Sequence, residues 1–148
     1  MTTPDPTMPR LQVRDLSLGY AGQVFLRGID LDVAPSEIVA ILGPSGSGKS
    51  TLLGTIAGVV PSAGGTVRVD GVDMTHAPIH ERGIGLIFQE PLLFPHLDVV
   101  DNVAYGLRRH KVAKQDARAQ AAELLEWVGL AGYERRRVQE LSGGQAQR

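Results

Sequence analysis

Cysteine is absent from the chain. That absence excludes a disulfide scaffold, a thiol nucleophile and a thiolate metal site, and it fits a reducing compartment. Excess charge is lacking too: the formal net charge is −1, which argues against a nucleic-acid binder held mainly by charge. No apolar run approaches the roughly 18 residues that span a bilayer; the longest, such as Ile38–Leu42, are strand-sized. The N-terminus has no basic region followed by an apolar stretch, so no secretory signal is read there. What remains is a chain of 148 residues, 43% apolar and 21% charged, which reads as one soluble globular domain or a piece of one. Glycine is abundant, at 18 residues, implying many turns or a backbone brought close to a ligand.

Residues 1–9, with three prolines and three threonines, read as a disordered tail. Leu11–Leu18 alternates well enough for a strand, and Gln23–Val33 ends in Ile29–Val33 with a clean period of two, a half-buried strand. Ile38–Leu42 is continuously apolar, as expected of a strand covered on both faces of a parallel sheet. Lys49–Ala57 reads as a helix with Leu52, Leu53 and Ile56 on one side. Thr66–Val69 and Val72–Met74, separated by Asp70-Gly71, look like a hairpin, and Ile84–Phe88 like another apolar strand. Beyond Gln89 the texture turns helical. Asp101–Arg109 places Val103, Ala104 and Leu107 at helical spacing with Asp101 near the cap. Lys114–Val128 carries Ala121, Leu124, Leu125 and Val128 on one stripe. The expected division is therefore a tail over 1–9, a core with a β subdomain over 10–88, and a helical subdomain over 89–148.

Between the apolar segment and the first helix stands Gly43-Pro44-Ser45-Gly46-Ser47-Gly48-Lys49-Ser50, the pattern G-x-x-x-x-G-K-[ST] in its expected setting. Its glycines let backbone N–H groups wrap a polyphosphate without Cβ collisions. The helix behind turns its positive end toward the anion. Lys49 can reach the β- and γ-phosphates as a point charge, and the Ser50 hydroxyl can ligate Mg²⁺. Such a loop names neither base nor reaction. The only asparagine, Asn102, is followed by Val-Ala-Tyr, so an Asn-Lys-x-Asp guanine reader is lacking.

A second cradle lies at Leu141-Ser142-Gly143-Gly144-Gln145, 93 residues after Gly48. Its serine hydroxyl, two close backbone N–H groups and helix start again suit an anion. With these two motifs the chain resembles the ATP-binding subunit of ABC transporters over nearly all of Leu11–Arg148. Gly43–Thr51 is similar to its Walker A, and Leu141–Gln145 to its LSGGQ signature. Gln89 stands where the family's Q-loop glutamine stands, and Tyr20 where an aromatic stacks on adenine. Ser36 and Ala146 depart from the family's usual glycine and glutamine, at positions that touch no phosphate.

The resemblance implies an α/β fold: a P-loop NTPase core with an antiparallel β subdomain and a helical subdomain, incomplete at the C-terminus. It implies an ABC-type ATPase with ATP and Mg²⁺ as cofactors. Two such subunits, a homodimer, would sandwich two ATP molecules head to tail. Gly43, Pro44, Ser45, Gly46, Ser47, Gly48, Lys49, Ser50 and Thr51 would then hold the chain's own nucleotide, with Tyr20 on the base. Ser50 and Gln89 would serve Mg²⁺. Leu141, Ser142, Gly143, Gly144 and Gln145 would contact the partner's nucleotide. Transmembrane permease subunits and, indirectly, a solute-binding protein are the further implied partners, at the cytoplasmic face of the membrane, with no nucleic acid.

The stretch Phe88–Leu97 followed by Asp101–Leu107 is similar to prokaryotic importers of the iron(III), polyamine, sulfate, molybdate or thiamine type. Leu92-Leu93-Phe94, between two prolines, reads either as simple loop packing or, beside the Q-loop position, as the place where a membrane subunit would dock. His76, His80, His96 and His110 are scattered, and Arg135–Arg137 reads as a solvated run.

No adjacent Asp-Glu pair occurs, and all four histidines precede the signature. The family's Walker B and switch histidine are thus missing, and no complete catalytic set is expected. A non-hydrolysing nucleotide-binding fragment and a non-transport ABC ATPase are the alternatives.

Overall fold

A computed structural model describes residues 8–20 and 22–148; most of the expected tail lies outside the described residues. The chain forms two compact units, Met1–Leu86 and Ile87–Arg148.

The first unit is built on a four-stranded antiparallel sheet in the order β2-β1-β3-β4, with β1 Leu11–Tyr20, β2 Gln23–Val33, β3 Gly64–Val69 and β4 Val72–Asp73. In β2 the alternation is realised: Ile29, Leu31 and Val33 are half-buried between exposed neighbours. β1 departs from a period of two. Asp15 takes a positive φ of 46°, and the pairing with β2 slips between Val13 and Leu16. This one-residue bulge puts Leu16 and Leu18 on the face of Val13, and all three are fully buried. At the β3–β4 turn Asp70 and Gly71 both have positive φ, 49° and 76°, the backbone a two-residue hairpin requires.

Helix α1, Lys49–Ala57, lays Leu52 and Ile56 on Val13, Leu16, Leu18 and Val67. Leu53, expected on the same side, is 45% exposed. The helix stops at Gly58, whose φ of 84° is left-handed and whose N–H reaches the Gly54 and Thr55 carbonyls. Beside it Arg82 is buried, and all its partners are main-chain oxygens. Nε donates to Ala77 O at 2.9 Å, Nη1 to Thr55 O and Ile56 O at 3.1 and 3.0 Å, and Nη2 to Thr75 O at 2.9 Å. Thr75 extends the network: its hydroxyl accepts from Val67 N at 2.9 Å. The same hydroxyl and the Thr75 amide donate to Asp73, holding that carboxyl below its usual range.

Two expected strands are corrected. Neither Ile38–Leu42 nor Ile84–Phe88 adopts strand structure. Ile41 and Ile84 pack against the sheet's core, whereas Ile38, Leu42 and Ile87 are 95%, 90% and 95% exposed. Apolar strand-like sequence becomes a strand only where a neighbour takes its backbone N–H and C=O groups. Among the described residues neither segment has one.

The second unit is helical: α2 Val99–Val103, α3 Tyr105–Arg109, α4 Lys114–Trp127 and α5 Gly143–Gln147. Its core joins Val99, Val100 and Ala104 to Ala117, Ala121, Leu125 and Leu130. The single helix expected over Asp101–Arg109 is two short ones meeting at Ala104, ahead of Gly106, a poor helix former. Asp98 is the cap, its Oδ1 accepting from Asp101 N at 2.8 Å, and Asp101 stands near it in the first turn. Along α4 the buried row is Ala117, Ala121 and Leu125. Leu124 and Val128, expected on the same stripe, are 45% and 37% exposed. No helix among the described residues is long and apolar enough to cross a membrane.

Candidate functional site

In the first unit the glycine-rich loop turns on Gly46 and Gly48, with φ of 79° and 92°, values that side-chain-bearing residues rarely adopt. Ser47 N donates back to Pro44 O at 3.3 Å, closing the curl. Gly48 is the N-cap of α1 and makes no side-chain cap; the first turn carries no acidic residue. Its N–H groups, beyond the reach of any intrahelical carbonyl, and the positive helix end therefore face the loop with nothing anionic of their own. The Lys49 ammonium sits inside this curl, donating to Gly43 O at 2.8 Å, Pro44 O at 2.7 Å and Ser47 Oγ at 3.4 Å. Ser45 and Ser50 are exposed, Thr51 half-buried. Phe25 of β2, not singled out by any motif, forms one wall: a Cβ on Gly48 would stand 3.1 Å from its Cε2. Tyr20 closes β1, paired with Gln23, and is 81% exposed.

In the second unit Gln89 is exposed, and its carbonyl accepts from Gln147 Nε2 of α5 at 3.4 Å. Asn102, another residue without a sequence signal, holds the loop that follows. Its Oδ1 accepts from Phe94 N at 2.7 Å, and its Nδ2 donates to Phe94 O and Asp98 O at 3.1 and 2.9 Å. Leu92 stays 69% exposed.

Leu141 packs on the unit's core, fixing the start of the Ser142–Gln145 cradle. There the cap is reciprocal: Ser142 N donates to Gln145 Oε1 at 2.9 Å, and Gln145 N to Ser142 Oγ at 3.3 Å. Because Oγ acts as acceptor in this bond, its own proton remains to be donated outward. Gly143 and Gly144 are helical, and a Cβ on either would meet nothing within 4 Å. Glycine inside a helix costs about 0.5–1 kcal/mol relative to alanine, and no contact among the described residues requires it here.

The profile of the ABC transporter family matches residues 26–148. The chain belongs to the ABC transporter family. Among its ABC relatives, the Fe(3+) ions import ATP-binding protein FbpC of Streptomyces avermitilis is 47% identical over 138 residues, 93% of this chain and 40% of that protein. The sulfate/thiosulfate import ATP-binding protein CysA of Mycolicibacterium paratuberculosis is 48% identical over 138 residues, 93% of this chain and 38% of that protein. The putative 2-aminoethylphosphonate import ATP-binding protein PhnT of Salmonella typhimurium is 44% identical over 133 residues. The chain thus spans about two fifths of the length of these curated relatives. Among solved structures, cbiO1 from Clostridium perfringens, part of the ABC transporter complex cbiONQ, superposes with a TM-score of 0.79 at 27% identity, over 95% of this chain and 58% of that one. The fold is that of the ABC ATPases, here as its antiparallel sheet and helices.

Proposed function

We propose that these residues are the nucleotide-binding and signature-bearing part of the ATP-binding subunit of an ABC importer. One observation carries the reading: two separate glycine cradles in one chain offer backbone donors, and no acidic side chain among the described residues caps the start of α1. At the first, the uncapped start of α1, Lys49 and the exposed Ser50 hydroxyl fit a polyphosphate with its Mg²⁺. The Gly43–Gly48 and Thr51 backbone wraps the phosphates, Lys49 neutralises the β- and γ-oxygens, and Tyr20 offers its face to adenine. At the second, Ser142, Gly143 and Gly144 donate to the nucleotide of another copy, which makes the working unit a head-to-tail homodimer. Gln89 takes the role of the family's Q-loop glutamine, a contact to water and Mg²⁺. When bound, Mg²⁺ neutralises charge developing on the phosphoryl oxygens.

The exposed apolar loop around Leu92 and Phe94 is the contact proposed for permease subunits at the cytoplasmic face, where the protein is peripheral. A solute-binding protein selects cargo upstream. The relatives' names range from ferric ions to sulfate and aminoethylphosphonate, in keeping with a shared motor whose cargo is chosen by other subunits.

Titration with Mg-ATP tests the reading, and a chain that fails to bind overturns it. Tyr20→Ala should weaken ATP and GTP alike, by about two- to tenfold, the worth of one aromatic stack. GTP binding much tighter than ATP binding would refute the stacking role. Lys49, Ser50 and Gln89 supply charge and orientation, but these 148 residues contain no Asp-Glu pair to polarise the attacking water. Phosphate release by the chain alone is therefore expected to fall about 10²–10⁴-fold below that of a complete ABC ATPase; release at the complete enzyme's rate would refute this.

A further inference from the structure

Gln145 is held at both ends of its amide. Its Oε1 accepts the Ser142 N–H at 2.9 Å, and its Nε2 donates to the Tyr133 hydroxyl at 3.2 Å. Tyr133 is itself held by packing: its half-buried ring lies against the second unit's core, and the Arg136 guanidinium covers one face at 3.8 Å from the centroid. Its carbonyl closes a turn onto Arg136 N at 3.0 Å.

We infer that Tyr133 is a positioning residue for the Ser142–Gln145 cradle, an inference that rests on the reading of that cradle as a phosphate contact. A glutamine side chain has three rotatable torsions and is costly to order. A bond at one end of the amide leaves the other free to swing. A second anchor from a ring with only two torsions, locked by the core, removes that freedom. With the amide fixed, Oε1 takes the Ser142 N–H. Ser142 Oγ takes the Gln145 N–H, and the serine proton and the Gly143 and Gly144 N–H groups stay aimed outward together. Tyr133 never touches the nucleotide. It acts through Gln145, ten residues and more along the chain, at a position no motif marks.

Tyr133→Phe is the discriminating variant, because it deletes the hydroxyl and keeps the ring, its packing and the guanidinium stack. In ¹⁵N-labelled chain the variant should melt in urea at the parent's midpoint. Its Ser142 amide should exchange with solvent about fivefold faster, the factor for one lost hydrogen bond, and the Gln145 side-chain resonances should shift. A merely packing role for Tyr133 would leave all of these unmoved, so unchanged Ser142 exchange overturns the inference. In parallel, ATP-dependent self-association should weaken about fivefold in the variant. Failure of the parent chain to associate with ATP would count against the cradle's proposed role, whereas the amide result bears on Tyr133 alone.

Discussion

Lys49→Ala should lower the chain's affinity for Mg-ATP about ten- to a hundredfold. The ammonium lies within the loop's curl, in reach of three oxygens of its own segment, and is the only cation in the Gly43–Thr51 segment. Phosphate oxygens entering the curl would exchange neutral carbonyl partners for charged ones. Hydrogen bonds of that charged kind contribute about 1.5–3 kcal/mol each, which sets the range. Calorimetric titration reads it directly. Lys49→Arg separates charge from shape: the planar guanidinium keeps the charge but does not match a compact, rotatable ammonium, so it should recover only part of the loss. An Ala variant that binds as tightly as the parent would refute the phosphate role of the loop.

The largest effect on stability is expected at Arg82. Arg82→Met keeps much of the side-chain volume but strips the donors from the carbonyls of Thr55, Ile56, Thr75 and Ala77. Two of these belong to the C-terminal end of α1, where the last carbonyls lack intrahelical partners and the helix end is negative. Thr55 O keeps the Gly58 N–H at 3.1 Å, and each of the other acceptors, left unpaired, costs about 1–3 kcal/mol. With some relief from entering water, the total should be about 3–5 kcal/mol, a large part of a domain's usual 5–15 kcal/mol. Urea melting should show the loss, together with reduced amide protection in β1 and β3. Arg82→Lys should be intermediate, since one ammonium with three donors cannot serve four carbonyls on two segments. A Met variant melting at the parent's midpoint would mean that water replaces the guanidinium without cost.

These two residues differ in how visible they are in sequence. Lys49 sits in a pattern whose spacing is its chemistry, so the loop, helix α1 and the Asp70-Gly71 hairpin could all be read from local order alone. Arg82 has no such pattern. Its partners are main-chain oxygens up to 27 residues away, and a carbonyl leaves no mark in a sequence. Asn102 escapes for the same reason, and Phe25 and Tyr133 because only the fold brings them to Gly48 and to the Gln145 amide. The Asp15 bulge also lay beyond reach: one inserted residue reverses the faces of everything after it, while Leu11–Leu18 still reads as a passable strand. Ile38–Leu42 and Ile84–Phe88 show the converse. Their apolar runs were legible, but strand structure belongs to a pair, and the pairing is not written in either segment.

Those two unpaired segments bear on how the molecule responds to temperature. Ile38, Leu42 and Ile87 present nearly whole side chains to water, above backbone groups that no ladder among the described residues occupies. Such a run can dock on a like run of another molecule. The attraction between apolar surfaces is largely entropic near room temperature and weakens on cooling. Clouding of a concentrated solution of these 148 residues is accordingly expected on warming rather than chilling, sooner with sulfate, which strengthens apolar association, than with urea, which loosens it.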